Sequence, residues 1–340
     1  GQAFEVQYEA PEGYEIINPI STLIAQFQDL SGSNAAGVAK QRTPRAAENL
    51  VIQAGLFGNT VATLDVSALA SYEAFFQAAN KSNATSTQKL AAIAYQKHAA
   101  MLATLAASGG KVLSTLSGAQ STELAKPVTD TSVAIVQAVA DQLASALSPS
   151  IDLLPGLLSS TESIKRVLVD ASSALSIALS SSQTDSLNRV AEVLVGANGL
   201  IAAVDTTPLL ASGLSSQQLS DLAIEALRGI VAVQQVVQET ATAGLQAFVL
   251  APSNTAVTDL LLAQSDTEGS LGQLAANTVV GTIVPSRFTV SVASTDAPAN
   301  ATGELSVFEG TSSGADQRVT YTITRAGGLG GTIVLRYEVS

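Results

Sequence analysis

The chain has 340 residues, 46% of them hydrophobic and 13% charged, with a formal net charge of −12. That is apolar material for a real core and length for two or three domains, which excludes general disorder. The acidic balance removes the electrostatic drive towards nucleic acid or anionic membrane surfaces, and the absence of Cys excludes disulfide scaffolds and thiolate zinc sites.

The kind of hydrophobe is informative. Aromatics make up 4% of the chain, Trp is absent and Met occurs once. Small side chains let helices approach closely but supply few of the large anchors that line ligand pockets. Uninterrupted apolar runs fall short of the roughly 18 residues of a membrane span. The nearest, Val190 to Val204, is interrupted by Glu192, Asn198 and two glycines, so the chain is expected not to span a membrane. No signal peptide is visible, and a start at Gly1 suggests a processed chain or a piece of a longer one.

Phe4-Glu5-Val6-Gln7-Tyr8-Glu9 alternates apolar and polar residues, the pattern of a half-buried strand. Pro11-Glu12-Gly13 turns the chain into a second short strand, Tyr14 to Ile17, and Asn18-Pro19 ends the β pattern. From Ser21 the period is helical, with Leu23, Ile24, Phe27 and Leu30 on one face and Gly32 as the stop. Thr43-Pro44 opens a helix that closes at Gly55, Leu64 to Asn80 predicts another, and Ser86 to Ser108 a long one that Gly109-Gly110 breaks or ends.

Further helices are predicted over Val128–Leu147, Thr161–Leu179, Thr184–Val204, Ser216–Val249 and Asn254–Leu262. Leu154-Pro155-Gly156 and Thr207-Pro208 punctuate the gaps, and starts such as Ser160-Thr161-Glu162 and Ser216-Gln217-Gln218 carry capping groups. After about Asn277 the period changes to two. Strands are predicted at Thr278–Val284, Arg287–Val292, Gly303–Phe308, Arg318–Thr324 and Thr332–Val339.

The expected fold is therefore α+β and mainly α. A short N-terminal β segment (1–19) leads into an antiparallel helical body (20–277, with a possible sub-boundary near 110–120), followed by a C-terminal β-sandwich-like domain (278–340).

Little in the sequence points to catalysis. The one histidine, His98, has Ala94, Tyr95, Met101 and Leu102 at the positions where a helical metal site would need a second ligand. It reads as a packed or surface residue. No serine sits in a Gly-x-Ser-x-Gly elbow, and the acids are scattered as on a solvated face. Gly327-Gly328-Leu329-Gly330-Gly331 lacks the Lys-Ser/Thr of a phosphate loop and reads as a turn between strands. Asn83-Ala84-Thr85 and Asn300-Ala301-Thr302 fit the glycosylation sequon at about the frequency chance supplies. An enzyme is not expected.

Two stretches carry a family resemblance. Ala10-Pro11-Glu12-Gly13-Tyr14-Glu15-Ile16-Ile17-Asn18-Pro19-Ile20-Ser21-Thr22-Leu23-Ile24 resembles the entry into the helical modules of giant bacterial cell-surface adhesins. Ala46-Ala47-Glu48-Asn49-Leu50-Val51-Ile52-Gln53-Ala54-Gly55-Leu56, Leu64-Asp65-Val66 and Ala91-Ala92-Ile93-Ala94-Tyr95-Gln96-Lys97 continue that resemblance over roughly the first third of the chain. Leu305-Ser306-Val307-Phe308-Glu309-Gly310, Val319-Thr320-Tyr321-Thr322-Ile323-Thr324-Arg325 and Gly331-Thr332-Ile333-Val334-Leu335-Arg336-Tyr337 are similar to the opening strands of a Calx-β domain.

The second resemblance implies a β-sandwich and calcium, with Glu309 as a possible ligand; the family's other acidic ligands would follow Ser340. Together the resemblances imply a structural or adhesive module on a bacterial cell surface. An incomplete sandwich leaves strand edges unpaired, so the chain is expected to be a piece of a longer one or a subunit that exchanges strands. In the latter case Phe4, Val6 and Tyr8 are the candidate residues to pair with a neighbouring copy. The competing readings are a flagellin-like or pilin-like filament subunit and a carbohydrate-binding surface module.

Overall fold

The computed structural model describes residues 8–11, 18–29, 43–58, 79, 81, 83–120, 125–145, 152–253, 255–264, 273, 287–294 and 319–326. Two compact units are distinguished: a helical one within Gly1–Val279 and a second, Val280–Gly330.

The helical unit begins with α1 (Pro19–Asp29). Its start is fixed by Asn18, whose Oδ1 accepts from the backbone N–H of Ile20 and of Ser21 at 2.8 and 3.0 Å. These are donors that a helix start cannot satisfy internally. Ile20, Leu23, Ile24 and Phe27, at i, i+3, i+4 and i+7, are all buried. Each contributes on the order of 2 kcal/mol by leaving water.

Helix α2 (Pro44–Gln53) opens on Thr43, whose hydroxyl accepts from Ala46 N–H, with Pro44 at the first helical position, where its missing donor costs nothing. It ends at Gly55, whose φ of 103° suits a residue without Cβ. Within α2 the buried carboxylate of Glu48 is paired with Arg45 one turn earlier, at 2.9 Å.

Helix α3 (Ser86–Thr104) opens with a reciprocal capping box between Thr85 and Gln88. It does not stop at Gly109-Gly110. A π turn, Leu105–Gly109, inserts one extra residue, and the helix continues as α4 (Gly110–Gln120). The glycines read as a break because of their low helix propensity, yet tertiary packing overrides it. A Cβ at Gly109 would lie 2.9 Å from Ile135 and from Leu168, and one at Gly110 would lie 2.6 Å from Ser132 Oγ. The pair lets the next helices press against the backbone. The region near 110–120, expected as a possible sub-boundary, is occupied by α4.

Next come α5 (Val128–Ser145), α6 (Leu153–Ser159), α7 (Thr161–Ala174) and α8 (Ser181–Ala202). Helix α6 falls where Leu154-Pro155-Gly156 read as punctuation. Pro155 sits in the first turn, where its missing N–H is harmless, and Leu154 N–H is taken by Ala54 O at 2.8 Å. Ser160 caps α7, and Ser180 with Gln183 boxes the start of α8.

A 3₁₀ turn (Thr207–Leu210) precedes α9 (Ser216–Val236). The α9 cap is Ser215 with Gln218, one residue earlier than the sequence reading. A second π turn, Val237–Ala241, joins α9 to α10 (Thr242–Leu250), and α11 (Ala256–Gln264) follows.

Helix α3 is central, packing against α1, α6, α8 and α9, while α5 lies against α1, α4 and α7. Ser86–Ala119 and Ser181–Leu210 are helical stretches long and apolar enough to cross a membrane by length and composition. In the most apolar 18-residue window of the first, 83% is buried, so that apolar surface is already used by the core of this unit. In the second the corresponding share is 39%.

The α+β expectation with a sandwich is corrected. In the second unit the described residues form two antiparallel strands, β1 (Arg287–Ser294) and β2 (Val319–Ala326), in register from Arg287↔Ala326 to Ser294↔Val319. Among the described residues this two-stranded ladder has no facing sheet, and a sandwich needs two. Period-two alternation marks a strand but does not say what it packs upon. The other predicted strands, Thr278–Val284, Gly303–Phe308 and Thr332–Val339, lie outside the described residues, as do Tyr14–Ile17 and most of Leu64–Asn80.

The N-terminal β expectation is corrected as well, where it is described. Tyr8, Glu9 and Ala10 are not in a strand. The backbone N–H and C=O of Glu9 are engaged by hydroxyls of α1 rather than by a strand partner.

Candidate functional site

Among the described residues, a dense polar cluster sits where the chain enters the helical unit. Glu9 N–H donates to Thr22 Oγ1 at 2.8 Å, while Ser21 Oγ and Thr22 Oγ1 donate to Glu9 O at 2.7 and 3.1 Å. Gln26 Nε2 reaches the Glu9 carboxylate at 3.3 Å. Asn18 caps the same helix and donates through Nδ2 to the Tyr95 hydroxyl on α3 at 2.7 Å. Ser21, Thr22, Gln26 and Tyr95 are buried, so these bonds form largely away from competing water. The extended segment 8–11 is thus fastened to α1, and α1 is fastened to the middle of α3.

Beside this clamp the Tyr95 ring stacks on Phe57, centroids 6.1 Å apart. Three residues on, His98 is buried, and its Nδ1 lies 2.8 Å from Leu56 O. A carbonyl can only accept, so Nδ1 carries the proton and the neutral ring is held in one tautomer. Burial pulls its pKa below the usual value; the Leu56 hydrogen bond opposes that and the Lys97 charge adds to it. The structure therefore places His98 as a packed residue that ties α3 to the turn after α2.

Lys97 does a similar task on another side of α3. Its Nζ donates to Ala202 O at 2.8 Å and to Val204 O at 2.6 Å, at the C-terminal end of α8. A cation there satisfies free carbonyls and opposes the negative end of the helix dipole. Burial lowers its pKa, against a raising influence from Asp205. Asp205 is itself held low by hydrogen bonds from the Thr207 hydroxyl and N–H, and by Lys97. Next to this knot Val204, Asp205, Pro208, Leu209, Leu222, Glu225 and Ala226 line a cleft of about 250 Å³. Its walls carry two carboxylates and no arrangement of nucleophile and base.

Of the residues singled out from sequence, Phe4, Val6 and Glu309 lie outside the described residues, as do Gly327–Gly331 and the sequon at Asn300. Tyr8 is half-buried in the entry segment, and burial pushes its phenol up to about 12. Thr85 of the other sequon is the α3 cap. Among the described residues no group of three or more His, Asp or Glu is placed to share a metal ion. Of the clamp residues, Glu9 was expected in a strand and Asn18-Pro19 only as the end of the β pattern; Asn-Pro ahead of an apolar run is also a helix-start signal that could have identified Asn18 as a cap. The partners of Lys97, more than 100 residues away, leave no local signal.

No family model, curated protein or solved structure matches the chain.

Proposed function

We propose that the chain is a structural module of an extracellular, bacterial cell-surface protein or filament, working in series with copies of itself or with further domains of a longer chain. Its work is mechanical: to carry load and hold other domains away from the surface. The observation that supports this most is the entry clamp. A segment arriving at Tyr8–Pro11 is fastened by both backbone groups of Glu9 to α1, and through Asn18 to α3, a helix packed against α1, α6, α8 and α9. Tension applied at the N-terminal side would meet several hydrogen bonds loaded together before reaching the core.

The low charge density and scarcity of aromatics fit a surface that spaces rather than binds. Electron microscopy of the native particle, with light scattering on the purified chain, tests the reading. Filaments or end-to-end particles are expected. A dispersed monomer in the native source, with no longer parent chain, overturns it. In single-molecule pulling from the N-terminus, Thr22→Val should lower the unfolding force of the helical unit, and an unchanged force would remove the clamp as the load-bearing element.

A further inference from the structure

The two longest helical runs each contain a π turn, Leu105–Gly109 between α3 and α4 and Val237–Ala241 between α9 and α10. The two turns lie against each other. Ser108 Oγ and Thr242 Oγ1, both buried, are 2.9 Å apart and tie them across 134 residues of sequence. A π turn is a one-residue insertion with poorer hydrogen bonding than the α-helix, and it persists only where its surroundings hold it. Because it only changes which carbonyl each N–H uses, it can migrate along a helix, rotating the residues it passes while both ends stay fixed.

Three features hold the first turn where it is. Gly109 and Gly110 admit the close approach of Ile135, Leu168 and Ser132. Thr131 Oγ1 donates to Gly110 O at 2.8 Å. Ser108 is bonded to Thr242. One feature is left over: Thr104 Oγ1, fully buried at the start of the turn, has no hydrogen-bond partner among the described residues. A buried hydroxyl without a partner costs on the order of 1–3 kcal/mol. A migrated turn would release a carbonyl near it.

We infer that the two π turns form one joint with two settings, locked in the present one by the Ser108–Thr242 hydrogen bond and reaching the other when both bulges migrate together. In the second setting the Thr104 hydroxyl accepts the role that Ser108 gives up. The joint is a torsional device: it turns the middle of two neighbouring helices without moving their ends. It holds whether or not the chain is a load-bearing module.

Hydrogen exchange followed by mass spectrometry tests this on the intact chain, in peptides spanning residues 100–112 and 234–246. At alkaline pH, where opening limits exchange, both peptides should open with one shared rate. Ser108→Ala should speed exchange about tenfold in both, Thr242→Val should do the same, and the double variant should add nothing further. Thr104→Val, which removes the hydroxyl used only by the second setting, should slow both peptides relative to one from α7. Separate opening rates, effects that multiply in the double variant, or exchange unchanged or faster in Thr104→Val would each overturn the joint. If Ser108→Ala fails to fold, the shared rate and the Thr104→Val arm still decide.

Discussion

The entry clamp and the π-turn joint are both built from hydroxyls, yet they use them in opposite ways. At the clamp, Ser21 and Thr22 serve the backbone of a segment that would otherwise have no secondary structure to satisfy it. At the joint, Ser108 and Thr242 serve each other, and Thr131 is shared between Gly110 O and the carbonyls of Pro127 and Val128, inside helices already bonded along most of their length. The first arrangement fixes where an element begins. The second fixes where an element is allowed to be irregular. The start of α1 is capped locally by Asn18 and fastened to the chain that leads into it, whereas the mid-helix irregularity is held by other helices.

That contrast can be broken most forcefully at the joint. Gly110→Val would drive a branched side chain into Ser132, whose Oγ is already 2.6 Å from the position of a Cβ. Overpacking of this kind should cost about 3 kcal/mol, read as a fall in the denaturant midpoint. A loss near zero would show that α5 is free to back away. At the clamp, Asn18→Ala removes two capping acceptances and the bond to Tyr95, and should cost about 1–2 kcal/mol by the same measurement.

A glycine in neither region provides the control. Gly199 is itself exposed on α8, and a Cβ there meets nothing within 4 Å. Gly199→Ala should therefore stabilise by about 0.5–1 kcal/mol, the ordinary helix propensity gain that Gly110 cannot give.

The gentlest perturbation is pH, and the chain's single histidine makes it specific. Burial holds the pKa of His98 in the folded state below that of the unfolded state. Below about 6.5 the unfolded chain binds a proton that the folded chain refuses, so stability should fall as pH drops through that value. Thermal denaturation at stepped pH should show the decline, and His98→Gln should flatten it. A profile identical in both proteins would mean that the ring is not held as described.

Much of the helical unit was legible in the sequence, because caps are local. Thr43-Pro44 and Ser160 each put a side chain where free N–H groups wait, whereas the Ser180–Gln183 box was overlooked and starts α8 at Ser181 rather than at the expected Thr184. Gly109-Gly110 misled for the complementary reason. Glycine destabilises an isolated helix, and only Ile135, Leu168 and Ser132, from helices further along, make its missing Cβ useful. The strands Arg287–Ser294 and Val319–Ala326 fell close to where alternation put them, but alternation carries no information on a second sheet, and the sandwich was an over-reading. Lys97 and its carbonyls were invisible for the same reason as the joint: the partners are distant in sequence.

The Tyr95 ring has one further consequence. With no Trp in the chain, tyrosine dominates the near-ultraviolet absorption, and Tyr95 is pinned at both ends, its ring on Phe57 and its hydroxyl by Asn18. A chromophore held so asymmetrically gives a circular dichroism band of its own. The protein therefore carries an optical gauge of whether α1, α3 and the turn after α2 are seated on one another, readable without any label.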